Sequence, residues 1–124
     1  MSGDDYRPHI APSMPEEQTT RSDKVVPLTG WGRASSTSAH LASIDTVAGA
    51  VSALRHAEGG RGVVSRGLGR SYGDAAQNAG GTALDLTKLN KILRVDAEGE
   101  PPTVLVQAGV SLDALMRAVL PFGL

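Results

Sequence analysis

The sequence predicts an α+β fold: a small mixed sheet carrying two helices. Three observations predict it. Two stretches place apolar residues at helical spacing, four short runs have the β-branched or alternating character of strands, and glycine or proline punctuates the joins. With 124 residues, the chain is long enough for one small domain.

The first 23 residues hold three prolines and no apolar periodicity. They take five of the thirteen acidic residues and two of the twelve basic ones. Such a segment cannot bury enough surface to offset its ordering entropy. Residues 1–27 are therefore expected as a disordered acidic tail, and 28–124 as the folded part. The balance of charge in that part is near neutral, which gives no nucleic-acid footprint.

Gly30-Trp31-Gly32-Arg33 is expected to open the ordered part, and Ala34–Ser43, small and polar, to be a loop. Asp45 or Ser43 offers an N-cap to a first helix. Val47, Val51 and Leu54, with Ala50 and Ala57 between them, mark its inner face. Gly49 costs that helix about 1 kcal/mol against alanine, and Gly59-Gly60 ends it. Gly62–Ser65 reads as a short strand, and a glycine loop follows. Thr82–Leu86 is a second strand. Ile92–Asp96 and Thr103–Gln107 flank a turn with Gly99, Pro101 and Pro102, so they form an antiparallel hairpin. Ser111 caps a second helix with Leu112, Leu115, Met116 and Val119 at i, i+3, i+4 and i+7, stopped by Pro121 and Gly123. Two helices and four short strands make a marginal core, and the chain ends directly after a helix, where an α/β layer normally returns to its sheet. Both features suggest truncation.

Cysteine is absent, which excludes disulfides, thiolate catalysis and zinc-thiolate sites. His9, His40 and His56 are far apart and form no metal-ligand spacing. No apolar run approaches a membrane span, and the N-terminus lacks the basic and apolar regions of a secretory signal, so a cytoplasmic chain is expected.

The chemistry concentrates in Arg66-Gly67-Leu68-Gly69-Arg70-Ser71-Tyr72-Gly73-Asp74. Glycines spaced G-x-G-x-x-x-G after a strand allow positive φ and let N–H groups point into one concavity that binds phosphate oxygens. Arg66 and Arg70 are placed to neutralise a pyrophosphate, Ser71 adds a hydroxyl, and Tyr72 supplies a ring to pack on a flat ligand. The residues alone leave a plain glycine-rich turn with surface arginines equally open. A dinucleotide fingerprint of the Rossmann type fails on spacing. The next strand begins about nine residues after Gly73, too close for a crossover helix. A phosphate-binding loop with Gly-Lys-Ser/Thr is also absent. Asp85 and Asp74 read as a turn-capping acid and a loop-end side chain.

At this point the sequence resembles a known family. The carrying segments are Leu28-Thr29-Gly30-Trp31-Gly32-Arg33, Arg66–Asp74, Gln77-Asn78-Ala79-Gly80-Gly81, Leu84–Asn90, Gln107–Val110 and Ala118–Leu124. They look like the start of a PCMH-type FAD-binding domain in the vanillyl-alcohol-oxidase type of FAD-dependent oxidoreductases. The subgroup is the one that oxidises the C2 hydroxyl of decaprenylphosphoryl-ribose in cell-wall arabinan synthesis. The resemblance implies that 28–124 is the first, incomplete part of such a domain. It implies an FAD-binding stretch of Ser65, Arg66, Gly67, Leu68, Gly69, Arg70, Ser71, Tyr72, Gly73, Asp74 and Ala75, with Tyr72 toward the isoalloxazine and substrate side. Trp31 falls in a family motif, with core packing an equal reading for its indole.

The same resemblance implies FAD held without a covalent bond, because Arg70 stands where many relatives have a flavin-linked histidine. It implies a lipid-linked sugar substrate and a partner reductase for the keto-sugar product, with no nucleic acid and no transmembrane segment. The family works at the cell envelope, which sets membrane-associated or periplasmic placement beside the cytoplasmic one. No position matches the family's active-site lysine and cysteine, so no catalytic residue is assigned and the isolated chain is expected to be inactive. Two other readings stand beside this one: a non-enzymatic phosphate- or partner-binding module, and a non-functional truncated product.

Overall fold

A computed structural model describes residues 24–57 and 60–124. Residues 1–23 of the acidic tail read at 1–27, and the helix stop assigned to Gly59, lie outside the described residues. Strand β1 (Val25–Thr29) is followed by β2 (Ser36–Ser43), helix α1 (Val47–His56), β3 (Val63–Arg66), β4 (Thr82–Asp85), β5 (Ile92–Asp96), β6 (Thr103–Val106) and helix α2 (Leu112–Val119), which runs into a 3-10 turn at Leu120–Phe122. The architecture is α+β with a mixed sheet and two helices, but the strands fall into two sheets. One has four strands in the order β1-β2-β4-β3, and the other is the β5-β6 hairpin.

The order therefore begins earlier than the sequence suggested. Val25–Pro27 belong to β1 and not to the tail, and Ala34–Ser43 is mostly the strand β2 rather than a loop. Pairing explains both. β1 runs antiparallel to β2 from Val25↔His40 to Thr29↔Ser36, and β2 runs parallel to β4 from His40↔Thr82 to Ser43↔Asp85. Small polar residues have little intrinsic strand preference, yet a strand with partners on both sides is held by its ladder. Pro27 is accommodated because β1 is an edge strand.

Strand β4 is the centre of the sheet and is apolar on both faces, as central parallel strands are. Ala83 packs with Leu28 and Ala39, and Val26, Leu41 and Val64 close round them. Leu84, on the opposite face, packs with Ile44 and Leu89, covered by Ala42, Ala50, Ala53, Val63 and Leu86. Helix α1 thus meets the sheet through alanines. Of the face read from sequence, Ala50 packs on the sheet, while Val47, Val51 and Leu54 are exposed. Small side chains let the helix axis approach the sheet closely, and that contact wins over the larger stripe. The N-cap is Thr46, not Asp45 or Ser43: its hydroxyl accepts from Gly49 N at 3.0 Å. Helix α2 is capped by Ser111 as expected. It buries no residue, leaving Leu112 and Met116 exposed. Gly109 joins the hairpin to the main sheet. Its N–H donates to Leu89 O at 2.8 Å, and a Cβ there would collide with the carbonyls of Leu86 and Leu89.

Strands β3 and β4 are parallel, Val63↔Thr82 to Arg66↔Asp85. No helix connects them. The fifteen residues 67–81 cross over as irregular chain. The absence of a crossover helix is as read, but it does not prevent a parallel pair. The glycine loop is itself the crossover.

Candidate functional site

Two segments far apart in sequence form the site. The connection between β1 and β2, residues 30–35, lies along the loop that leaves β3. Trp31 N donates to Ser71 O at 2.7 Å. A Cβ on Gly30 would lie 2.6 Å from Ser71 O and collide with Gly73 O, and one on Gly32 would lie 2.6 Å from Tyr72 O. These two glycines allow backbone to pack on backbone. Thr29, Gly30, Trp31 and Arg33 from one segment, and Arg66, Leu68, Gly69 and Arg70 from the other, line an open groove of about 490 Å³.

The loop is anchored at both ends. Arg66 closes its beginning: Nη1 donates to Ala76 O at 2.8 Å and Nη2 to Thr29 O at 2.7 Å. Buried Gln77 closes its end. Its Oε1 accepts from the Thr37 hydroxyl at 3.0 Å, and its Nε2 donates to Ser35 O at 3.4 Å. Asn78 ties the next residues to the sheet, donating through Nδ2 to Gly62 O at 3.0 Å and Thr82 O at 3.2 Å. Gly80 turns the chain at φ 71°.

Between these anchors the backbone donors are free. From Gly67 to Ala76, no N–H donates to an acceptor among the described residues. These residues are exposed or half-buried, so their amides are open to solvent or to a ligand. Here a run of ten stands beside a groove carrying Arg33, Arg66 and Arg70. Neither Arg33 nor Arg70 forms an ion pair with a described carboxylate. Donors and fixed positive charge without partners among the described residues make a place for an anion rich in oxygens.

The geometry sorts the residues read from sequence. Gly69 sits at φ 67°, in the left-handed region. Gly67 and Gly73 do not have positive φ, and a Cβ on either would meet nothing within 4 Å. They are small where the loop is open. Ser65 and Arg66 belong to β3, one residue later than the strand was placed. Arg66 lines the groove with its guanidinium engaged by two carbonyls, which uses two of its N–H donors and keeps its charge. Arg70 is exposed at the groove. Trp31 is not core: it is 57% exposed, and Tyr72 beside it is 80% exposed. Their rings meet edge to face, centroids 5.4 Å apart at 84°. Leu68, Gly73, Asp74 and Ala75 are exposed along the loop, and Ser71 is half-buried. Asp85 is a turn acid, as read: its Oδ1 accepts from Thr87 N at 3.0 Å and the Thr87 hydroxyl at 2.6 Å.

Arg33, Thr29, Gln77 and Asn78 had no role assigned from sequence. The usable signal was Gly-Trp-Gly, because two glycines flanking one indole mark a close backbone approach. Among the described residues no cluster of three or more His, Asp or Glu could hold a metal ion, and no helix is long and apolar enough to cross a membrane.

A loop crossover that presents open amides to a basic groove suits an anionic ligand. The chain belongs to the FAD binding domain family, whose model matches residues 37–124. It is 52% identical over 99 residues to decaprenylphosphoryl-beta-D-ribose oxidase of Mycolicibacterium smegmatis. That match covers 78% of this chain and 21% of the relative, so the chain spans about a fifth of that protein's length.

Proposed function

We propose that this chain is the FAD-binding portion of an oxidoreductase acting on a CH–OH group, with the C2 hydroxyl of a decaprenylphosphoryl-ribose as substrate of the whole enzyme. The observation that carries the cofactor reading is the run of unpaired N–H groups from Gly67 to Ala76 beside Arg70 and Arg33. The N–H groups of Gly67 through Gly73 hold the pyrophosphate, with the Arg70 guanidinium and the Ser71 hydroxyl beside them, within the stretch Ser65–Ala75. Tyr72, exposed and packed edge to face on the groove-lining Trp31, faces the isoalloxazine and the substrate.

FAD held by these residues would supply the acceptor for a hydride from the sugar carbon, and the protein's part would be to orient it. A partner reductase then consumes the keto sugar. The substrate reading rests on the 52% identical relative. This chain contributes no group we assign to the chemical step, and it turns over no sugar alone.

The flavin is held without a covalent bond. A guanidinium stays protonated and is a poor nucleophile. Cysteine is absent. His56 lies in the last turn of α1, its Nδ1 2.7 Å from Ser52 O. Titrating the purified chain with FAD, followed by quenching of flavin fluorescence, tests the reading. Saturable binding that ADP competes away supports it. Absence of binding, or binding that ADP does not affect, overturns the role of the loop. Oxidation of a decaprenylphosphoryl-ribose analogue by the 124-residue chain with FAD would show that the chain carries more of the chemistry than we assign.

A further inference from the structure

We infer that Arg66 is the positioning residue of the cofactor loop, holding it in the shape that presents its amides, and not a ligand of the phosphate. The inference rests on the reading of the loop as the FAD pyrophosphate site. Its guanidinium bridges two carbonyls from different places: Ala76 O near the loop's far end and Thr29 O at the end of β1. One side chain thereby joins the start of the loop, its return and the neighbouring hairpin.

Thr29 immediately precedes the Gly30–Gly32 segment that lies along Ser71–Gly73. Fixing Thr29 therefore fixes the surface on which the middle of the loop rests, including the bond from Trp31 N to Ser71 O. Gly69 completes the arrangement. Its missing side chain leaves the room the guanidinium occupies: a Cβ there would collide with Nη2 and lie 3.0 Å from Cζ. The loop bends over its own clamp.

Two donors in a rigid planar fork are needed to hold two carbonyls at once. Lysine carries the charge but presents a single nitrogen. Arg70, exposed and bonded to no described acceptor, is left to meet the anion.

The test compares R66Q, R66K and R70Q in the 124-residue chain by thermal melting, by FAD titration at low and high salt below the melting transition, and by amide hydrogen exchange at Trp31 without FAD. R66Q and R66K each weaken FAD binding at least about tenfold, the loss expected from two charge-assisted bonds that shape the site. Both speed Trp31 exchange, and R66K keeps the wild-type salt dependence, because it retains the positive charge in the groove. R70Q does the reverse: it flattens the salt dependence and leaves Trp31 exchange as it was.

Three results overturn the inference: Trp31 exchange unchanged in the Arg66 variants, wild-type affinity in R66K, or a salt dependence flattened in R66K as in R70Q. R66K decides the matter if R66Q does not melt cooperatively. If the wild-type chain takes up no FAD, the cofactor reading fails, and Trp31 exchange still decides whether Arg66 is a clamp.

Discussion

Replacing Gly69 with valine separates a loop that is merely glycine-rich from one shaped to hold a cofactor. At φ 67°, an ordinary L-residue is strained by about 1–2 kcal/mol, and a β-branched one is strained further. The new Cβ would also fall on the Arg66 guanidinium, 3.0 Å from Cζ. The guanidinium has to shift, and where it leaves, the bonds to Thr29 O and Ala76 O go with it, each a hydrogen bond from a charged donor and worth about 1.5–3 kcal/mol. At the low end these costs come to about 4 kcal/mol, close to a thousandfold in the population of the closed loop. A ligand that binds only the closed loop loses affinity by the same factor once the open form predominates. The assay is flavin stoichiometry after dialysis, read from flavin absorbance, together with the melting temperature. Full flavin retention in G69V would refute the argument, because neither the positive φ nor the clamp could then matter to the site.

Gly67→Ala is expected to leave the melting temperature unchanged, since its Cβ meets nothing within 4 Å, while FAD affinity falls because the space is the cofactor's; paired melting and titration check both halves. Thr46→Ala removes the cap on Gly49 N and should lower stability by about 1 kcal/mol, seen as a lower denaturant midpoint at unchanged slope, with FAD affinity intact below the transition. Acid precipitation of the flavin-loaded protein should free all of its flavin, and any that co-precipitates with a peptide from this chain would show the reading of Arg70 to be wrong.

Elements with strong periodicity or a strong cap were legible in the sequence. Thr82–Asp85, the hairpin Ile92–Asp96 with Thr103–Val106, and the helix after Ser111 all stand close to where they were read. Ser36–Ser43 was not legible, because a run of serine, threonine and alanine becomes a strand only through its two neighbours. The face of α1 was legible only in part, for a related reason. Periodicity shows that Val47, Val51 and Leu54 share a face, but the alanine face is the one that fits against Ile44 and Leu84. Within the site, the glycine loop and its open amides follow from composition. The bonding of Arg66 does not, because the carbonyl it seeks on Thr29 is 37 residues away. An arginine beside glycines looks the same in sequence whether it faces a phosphate or holds the chain.

The loop that would carry the cofactor is also the only covalent path from β3 to β4, its parallel neighbour at the centre of the sheet. Closing fifteen irregular residues costs chain entropy that no helix in the connection offsets. A ligand bound to the closed form therefore stabilises the whole sheet by mass action, by about 2.7 kcal/mol at a hundred times its dissociation constant. Proteolysis that proceeds through transient opening samples the unliganded chain far more often than the liganded one. On the cofactor reading, flavin supply sets how long each copy survives in the cell: riboflavin starvation would deplete the protein itself as well as its activity.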